Sequence, residues 1–329
     1  MTDSNLVEKL DNYVSRMNKI KVRDIFHRGF GDDFIYINAD DDQALRKYCC
    51  GSDRITVLNG TSSYRGPHDD FIKTMGLAED DFSASNIMNM GILAEDVFRR
   101  RTEQMAEHLG LYGNTEVRPG ETLYRHGRNV TYRATPDGII PDNPSVVFEY
   151  KLRWWSDKDL YGEPMTDQMR ESEFDQCQWH MFLSGATTCF LGVWFHPADD
   201  IEWFKILRSD KHIESLVECA ESYFGNHIKT STPPPSDASD GCKKYLMRLE
   251  ERDAARREMS AEEWHIAMRI HETKEQIKEL KGMQQGFENE LRESIGEMQE
   301  LFVEGSKSKV TCKAPKGKDT RTLRVTIKD

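Results

Sequence analysis

The sequence predicts an α/β fold in which helices flank a central mixed sheet, followed by a long C-terminal helix and a short β-hairpin. Three observations predict it. Strand-like runs fall at 130–133, 146–152, 188–195 and 201–207, with a helical stretch at 173–183 between the second and third; strands interleaved with helices indicate an α/β architecture. An amphipathic helix precedes them at 91–109, with Leu93, Val97, Met105 and Leu109 on one stripe. Near the C-terminus, Ile277, Leu280, Phe287, Leu291, Ile295, Met298 and Phe302 recur at three- and four-residue steps, the pattern of a long helix suited to a coiled coil.

Taken in order, Leu6, Leu10, Tyr13, Met17 and Ile20 predict an N-terminal helical extension over 1–43. The core is expected over 44–231. It opens with a short apolar helix or strand from Asp53, a Gly/Ser turn, and a second helix through Phe71, Ile72 and Met75. Residues 232–242, rich in Pro, Ser and Asp, predict a semi-rigid linker. Over 243–329, Ser260 and Glu263 have capping-box spacing at the start of the long helix. Two β-like runs at 309–313 and 322–328 close the chain, and residues 305–329 hold eight Lys and Arg against two Asp. A basic hairpin and a solvated tail ending are equally compatible with that text.

Composition sets limits. At 329 residues, 37% hydrophobic and 31% charged, the chain supports one sizeable core and an appendage. No apolar run of membrane length and no signal-like start occur, so a soluble, cytoplasmic protein without membrane contact is expected, in a bacterial host cell if the chain is phage-encoded. The seven cysteines include no CxxC pair, which argues against structural zinc and against a cysteine-ligated iron–sulfur cluster. A net charge of -12 disfavours a protein that coats DNA nonspecifically. The acidity lies in the first part: residues 241–329 hold 19 Lys and Arg against 17 Asp and Glu, leaving 26 against 40 for residues 1–240.

The chemistry is concentrated in Thr135-Pro136-Asp137-Gly138 and, twelve residues after Asp137, Glu149-Tyr150-Lys151. A β-run of Val, Phe, Tyr and Leu should alternate into a core. Here it sets Glu149 and Lys151 on one face, where burial costs several kcal/mol unless a partner offsets it. A divalent cation held by Asp137 and Glu149 would offset it, because carboxylates are the hard ligands that Mg²⁺ or Mn²⁺ prefers. Such an ion polarises a phosphodiester and activates water. Lys151 would orient that water or stabilise negative charge on the phosphate, and the Tyr150 main-chain carbonyl is a further candidate ligand. A solvated Glu149–Lys151 surface pair is the plain alternative.

These segments resemble the lambda-exonuclease family, also called the YqaJ-type viral recombinases, within the PD-(D/E)xK nucleases, over most of residues 44–235. Met90-Gly91-Ile92-Leu93-Ala94-Glu95 resembles the family's Gly-x-x-x-Glu helix, making Glu95 a third metal-site acid. Thr135-Pro136-Asp137-Gly138 is similar to its S-P-D-G segment and Glu149-Tyr150-Lys151 to its E-x-K. Gln176-Cys177-Gln178-Trp179 resembles its Q-x-Q-aromatic helix and sets Gln176 beside the site; His180, one turn on, either makes a structural bond, the expected reading, or approaches the site. Leu45-Arg46 and Gly51-Ser52-Asp53 resemble the segment that holds a terminal 5′-phosphate, implying Arg46 and Ser52 with help from Thr135.

The resemblance implies a PD-(D/E)xK restriction-endonuclease-like core and an Mg²⁺-dependent deoxyribonuclease, with Mn²⁺ substituting. It further implies a homotrimeric ring that degrades double-stranded DNA from 5′ ends, leaving 3′ overhangs for phage or mobile-element recombination with a single-strand annealing protein. Arg153 and Trp154, directly after the acidic strand, are candidate DNA contacts; Trp154 and Trp155 would stack on terminal bases or pack in the core. The alternatives are a structure-specific endonuclease or nickase with the same site, and a non-cutting DNA or host-protein binder that keeps the fold.

Overall fold

The computed structural model describes residues 34–35, 49–77, 86–113, 115–197, 201–247, 256–314 and 320–327. The expected N-terminal helix and Arg46 lie outside them. The chain forms two compact units, residues 1–250 and 251–329.

The first unit holds two sheets. One is ordered β1 (Phe34–Ile35), β3 (Leu123–His126), β4 (Thr131–Ala134), β2 (Cys49–Cys50), with β2 parallel to β4 and the other pairs antiparallel. The other is ordered β5 (Gly138–Ile139), β6 (Val146–Trp154), β7 (Thr188–His196), β8 (Ile201–Leu207), with only β6 and β7 parallel. This is the expected mixed sheet. Parallel strands need a crossover, and α4 (Glu171–Ser184) supplies it, ending at Gly185 in the left-handed conformation, φ 73°. Beside the sheets stand α1 (Ser52–Leu58), α2 (Pro67–Thr74), α3 (Asn86–Gln104), α5 (Asp210–Tyr223) and α6 (Asp240–Met247).

Helix α4 is buried on two sides. Trp179 and Leu183 join Tyr132 and Ala134 of β4, while Cys177 and Met181 join Val147, Leu191 and Phe204 of the second sheet. Its low amphipathicity follows from that position, since no side of it faces only solvent. The stripe expected on α3 is corrected: Leu93 and Val97 are exposed, and Ala94 and Phe98, one position along, are buried. Two neighbouring rows of this helix are apolar, and the row carrying Phe98 has the larger ring to bury. Phe98 stacks on Tyr150 with centroids 4.9 Å apart. Thr102 Oγ1, one turn on, lies 3.0 Å from the Tyr150 hydroxyl.

The proline-rich segment lies on the first unit: Asp237 accepts the His68 N–H at 2.8 Å, Pro234 is buried, and Cys242 of α6 is buried. All seven cysteines are free thiols. Among the described residues no helix is long and apolar enough to cross a membrane.

In the second unit, Ser260 and Glu263 close a capping box on α7 (Ala261–Ile295). The expected hairpin, β10 (Lys309–Lys313) with β11 (Thr322–Thr326), gains a third antiparallel strand, β9 (Glu300–Phe302). With only Leu301 and Phe302 apolar, its three residues give too short a pattern to read as a strand.

Phe98→Ala is expected to destabilise the first unit by about 3–5 kcal/mol in urea unfolding, the cost of removing a fully buried aromatic side chain. A loss below about 1 kcal/mol would mean that α3 does not anchor through this ring.

Candidate active site

Strand β6 is buried without interruption from Val146 to Tyr150, and its alternation separates two chemistries. Phe148 and Tyr150 face the cluster that contains Ala94 and Phe98 of α3. Glu149 and Lys151 face the other way, with Val147, towards α4.

Asp137 stands in the turn before β5 and extends the ladder with its side chain. Its N–H donates to the Phe148 carbonyl at 3.0 Å, and its Oδ2 accepts the Tyr150 N–H at 2.8 Å. In an antiparallel ladder the N–H and C=O of one residue point to the same edge, so the Tyr150 carbonyl is directed to the edge where the Asp137 carboxylate lies. The glycine of Pro-Asp-Gly is required by packing: a Cβ on Gly138 would stand 2.8 Å from the Tyr150 hydroxyl and 3.0 Å from Val117.

Glu149, 4% exposed, is gripped on both oxygens. The Lys151 ammonium contacts Oε1, and His180 Nε2 stands 2.9 Å from Oε2. That second contact is close but not aligned, since neither His180 ring nitrogen makes an in-line hydrogen bond. Burial alone would raise the Glu149 carboxyl, but Lys151 and then His180 outweigh it and hold the pKa at about 2. Asp137 goes the other way. Burial pushes its carboxyl well above the usual range, the Glu149 charge adds to that, and Lys151 and the Tyr150 N–H only partly oppose it. Burial would lower the Lys151 ammonium, yet Glu149 and Asp137 outweigh it and raise it.

Glu95 of α3 is half-exposed and pairs with Arg99 at 3.4 Å. Arg99 also donates to Asp96 at 2.6 Å and to the Asp137 carbonyl at 3.1 Å, tying α3 to the turn before β5. Among the described residues no three His, Cys, Asp or Glu side chains close into a metal-binding group. The donor chemistry nonetheless fits a hard cation: a buried and a half-buried carboxylate side by side, the second driven up by desolvation and then by the first's charge, and a carbonyl directed to the same edge. Asp137, Glu149 and the Tyr150 carbonyl are the groups suited to hold it, with Glu95 engaged by Arg99.

The remaining expected residues are placed as follows. Gln176 is half-buried on α4, between the turn that brings Glu173 to Arg153 and the turn that brings His180 to Glu149. Arg153 is held by Glu173, with Nε at 3.0 Å, and the Tyr161 hydroxyl donates to the same carboxylate at 2.7 Å. Trp154 is half-exposed against His196 at 5.4 Å, and Trp155 is half-exposed under the Lys158 ammonium at 4.9 Å. Neither tryptophan is core. Thr135 pairs with Thr122 at 2.9 Å, and Ser52 is half-buried at the start of α1. His180 takes the second of its two sequence readings, standing against Glu149 rather than in an aligned structural bond; the four-residue step from Gln176, which places both on one helix face, was the signal.

No family model matches the chain, and no curated protein matches it. Among solved structures it is similar to an alkaline exonuclease from Laribacter hongkongensis (14% identity, 64% of this chain and 100% of that chain, TM-score 0.41). It is also similar to a putative exonuclease from Eubacterium rectale (10%, 67% and 97%, 0.45) and to a phage-related exonuclease from Haemophilus somnus (13%, 60% and 91%, 0.36). At such identities the chemistry of the site is decided by this chain's own side chains.

Two outcomes follow from the geometry. A carboxyl raised by folding favours the folded state below its unfolded pKa of about 4 and loses that contribution as pH rises through the folded value. Asp137→Asn, which keeps an acceptor for the Tyr150 N–H, should therefore melt roughly 2–4 °C higher than wild type at pH 7 in EDTA, the shift expected for about 1 kcal/mol. The gap should close towards pH 4. Mn²⁺ should raise the melting temperature of wild type and not of the variant; an Asn variant that melts lower in EDTA would show that charge crowding is not what raises Asp137. Arg153→Ala should destabilise by about 3–5 kcal/mol in urea, because it strands the buried Glu173, and a fully stable variant would sink the structural role of that pair.

Proposed function

We propose that the chain is a metal-dependent nuclease that hydrolyses DNA phosphodiester bonds, and specifically a 5′-to-3′ exonuclease on double-stranded ends that leaves 3′ overhangs. The observation that carries this is the meeting of two carboxylates, the buried Glu149 and the half-buried Asp137, around the Lys151 ammonium at one strand edge. An ordinary structural pair matches one acid to one base. Here a second acid is driven up by desolvation and, after that, by the charge of the first, an arrangement that costs stability and is typical of a site built to receive positive charge.

Asp137, Glu149 and the Tyr150 carbonyl would hold Mg²⁺, or Mn²⁺ in its place, and the bound ion would supply Lewis-acid activation of the phosphodiester and of water. Lys151 orients the attacking water or stabilises charge that develops on the phosphate. His180 keeps the Glu149 carboxylate turned to the site, and Gln176, on the same helix face, borders it. Arg99 fixes the turn that presents Asp137. Glu95 would join the donors by releasing Arg99. The exposed Trp154 offers a face for a terminal base. Arg46 and Ser52, with Thr135, are the groups proposed for a terminal 5′-phosphate. A trimeric ring, a single-strand annealing partner and a role in phage or mobile-element recombination complete the proposal.

The test is digestion of linear duplex DNA, with or without a 5′-phosphate, beside closed circular plasmid, in Mg²⁺ and in EDTA. Wild type should degrade the phosphorylated linear strand only with Mg²⁺, and Lys151→Ala should be at least about 100-fold slower. Cleavage of the circle would replace the exonuclease with an endonuclease. Intact substrates throughout would leave a binding protein.

A further inference from the structure

The second unit segregates charge in a way the nuclease site does not require. Residues 305–329 hold eight Lys and Arg against two Asp, leaving 37 Lys and Arg against 55 Asp and Glu for the rest of the chain. The sheet β9–β10–β11 sorts that charge by face. Along β10, Lys309, Thr311 and Lys313 share one side, while Val310 and the buried Cys312 share the other. The register carries the first side across both neighbours: Thr311 lies beside Arg324 of β11, and Lys309 lies beside Phe302 of β9.

Glu300 is the one acid among the described residues of that face. It lies 3.4 Å from Lys309 and 3.9 Å from Lys313, and both lysines stay about half-exposed. Arg324 is exposed and has no ion-pair partner among the described residues. Three cations against one acid leave the face positive. Phe302, 73% exposed, stands in the same array, and an exposed aromatic beside cations and threonine hydroxyls suits unpaired bases on a phosphate backbone.

We propose that this face of the β9–β10–β11 sheet binds single-stranded nucleic acid, with Lys309, Lys313 and Arg324 on phosphates and Phe302 stacked on a base. Charge complementarity selects a polyanion, and the exposed ring selects a single strand over a duplex. The proposal is independent of the nuclease site, because its test reads binding in EDTA, where metal-dependent cleavage is silent.

The experiment is fluorescence anisotropy of full-length protein with a labelled oligothymidylate of about 20 nucleotides, titrated across salt concentrations. Lys309→Ala/Lys313→Ala/Arg324→Ala should bind at least about tenfold more weakly and lower the log–log salt slope by about 2, since each single-strand phosphate contact contributes roughly 0.7. Phe302→Ala should weaken binding about fivefold or more without changing the slope. Lys309→Arg/Lys313→Arg should retain wild-type affinity, which separates lost charge from a disturbed sheet, and Lys278→Ala on α7 should bind as wild type. Unchanged affinity and slope in the triple variant would overturn the proposal. So would equally tight binding of a duplex of the same length with no effect of Phe302→Ala, which would make the face a duplex-backbone surface instead.

Discussion

The constraint on which the first unit depends is the burial of a carboxylate in the middle of a strand, Glu149, beside one ammonium and a second, half-buried carboxylate, Asp137. Glu149 and Lys151 alternate with Phe148 and Tyr150 on β6, so one strand must be dry on one side and charged on the other. The dry side is closed by the Phe98 ring. The charged side is tolerable only because Lys151 and His180 surround Glu149. Asp137 has no cation to itself, and its raised carboxyl measures what remains unbalanced. Nine paired residues between β6 and β7 hold the strand in place against that cost.

Helix α4 carries the polar side of the same problem. Its outward-looking residues are few, and its buried ones include Glu173, Asp175, Gln178 and His180. Most of these have a partner from another element: Arg153 and Tyr161 for Glu173, Asn59, Thr61 and His212 for Asp175, and the Leu207 carbonyl for Gln178. A buried polar group left alone is expensive, so each pairing fixes the helix in register against its neighbours. His180 is the exception, with neither ring nitrogen in an aligned hydrogen bond. Its unspent hydrogen-bonding capacity lies directly against Glu149, where a small shift of the carboxylate would use it.

Much of this was legible in the sequence, for identifiable reasons. The strands at 146–152, 188–195 and 201–207 have enough β-branched and aromatic residues to announce themselves, and Glu149 and Lys151 stand out because they interrupt such a run. The side of α3 that packs was not legible, because Leu93 and Val97 compete with Ala94 and Phe98 and periodicity alone cannot rank adjacent rows. The commitment of Arg153 to Glu173 was hidden for a different reason. Twenty residues separate them, and only the crossover through α4 brings them together. The third strand β9 was missed because a three-residue strand has no period to detect.

Arginine and lysine placement has a further consequence for any polyanionic substrate. Lys151 is taken by Glu149, Arg99 by Glu95 and Asp96, and Arg153 by Glu173. The cations nearest the acids therefore hold the site together, and each phosphate contact they made would have to compete with a carboxylate already in place. Phosphate affinity in water comes from cations whose counterions are free to leave. In an acidic chain with these cations so engaged, basic residues gather elsewhere in the sequence: the last 25 positions hold eight Lys and Arg against two Asp.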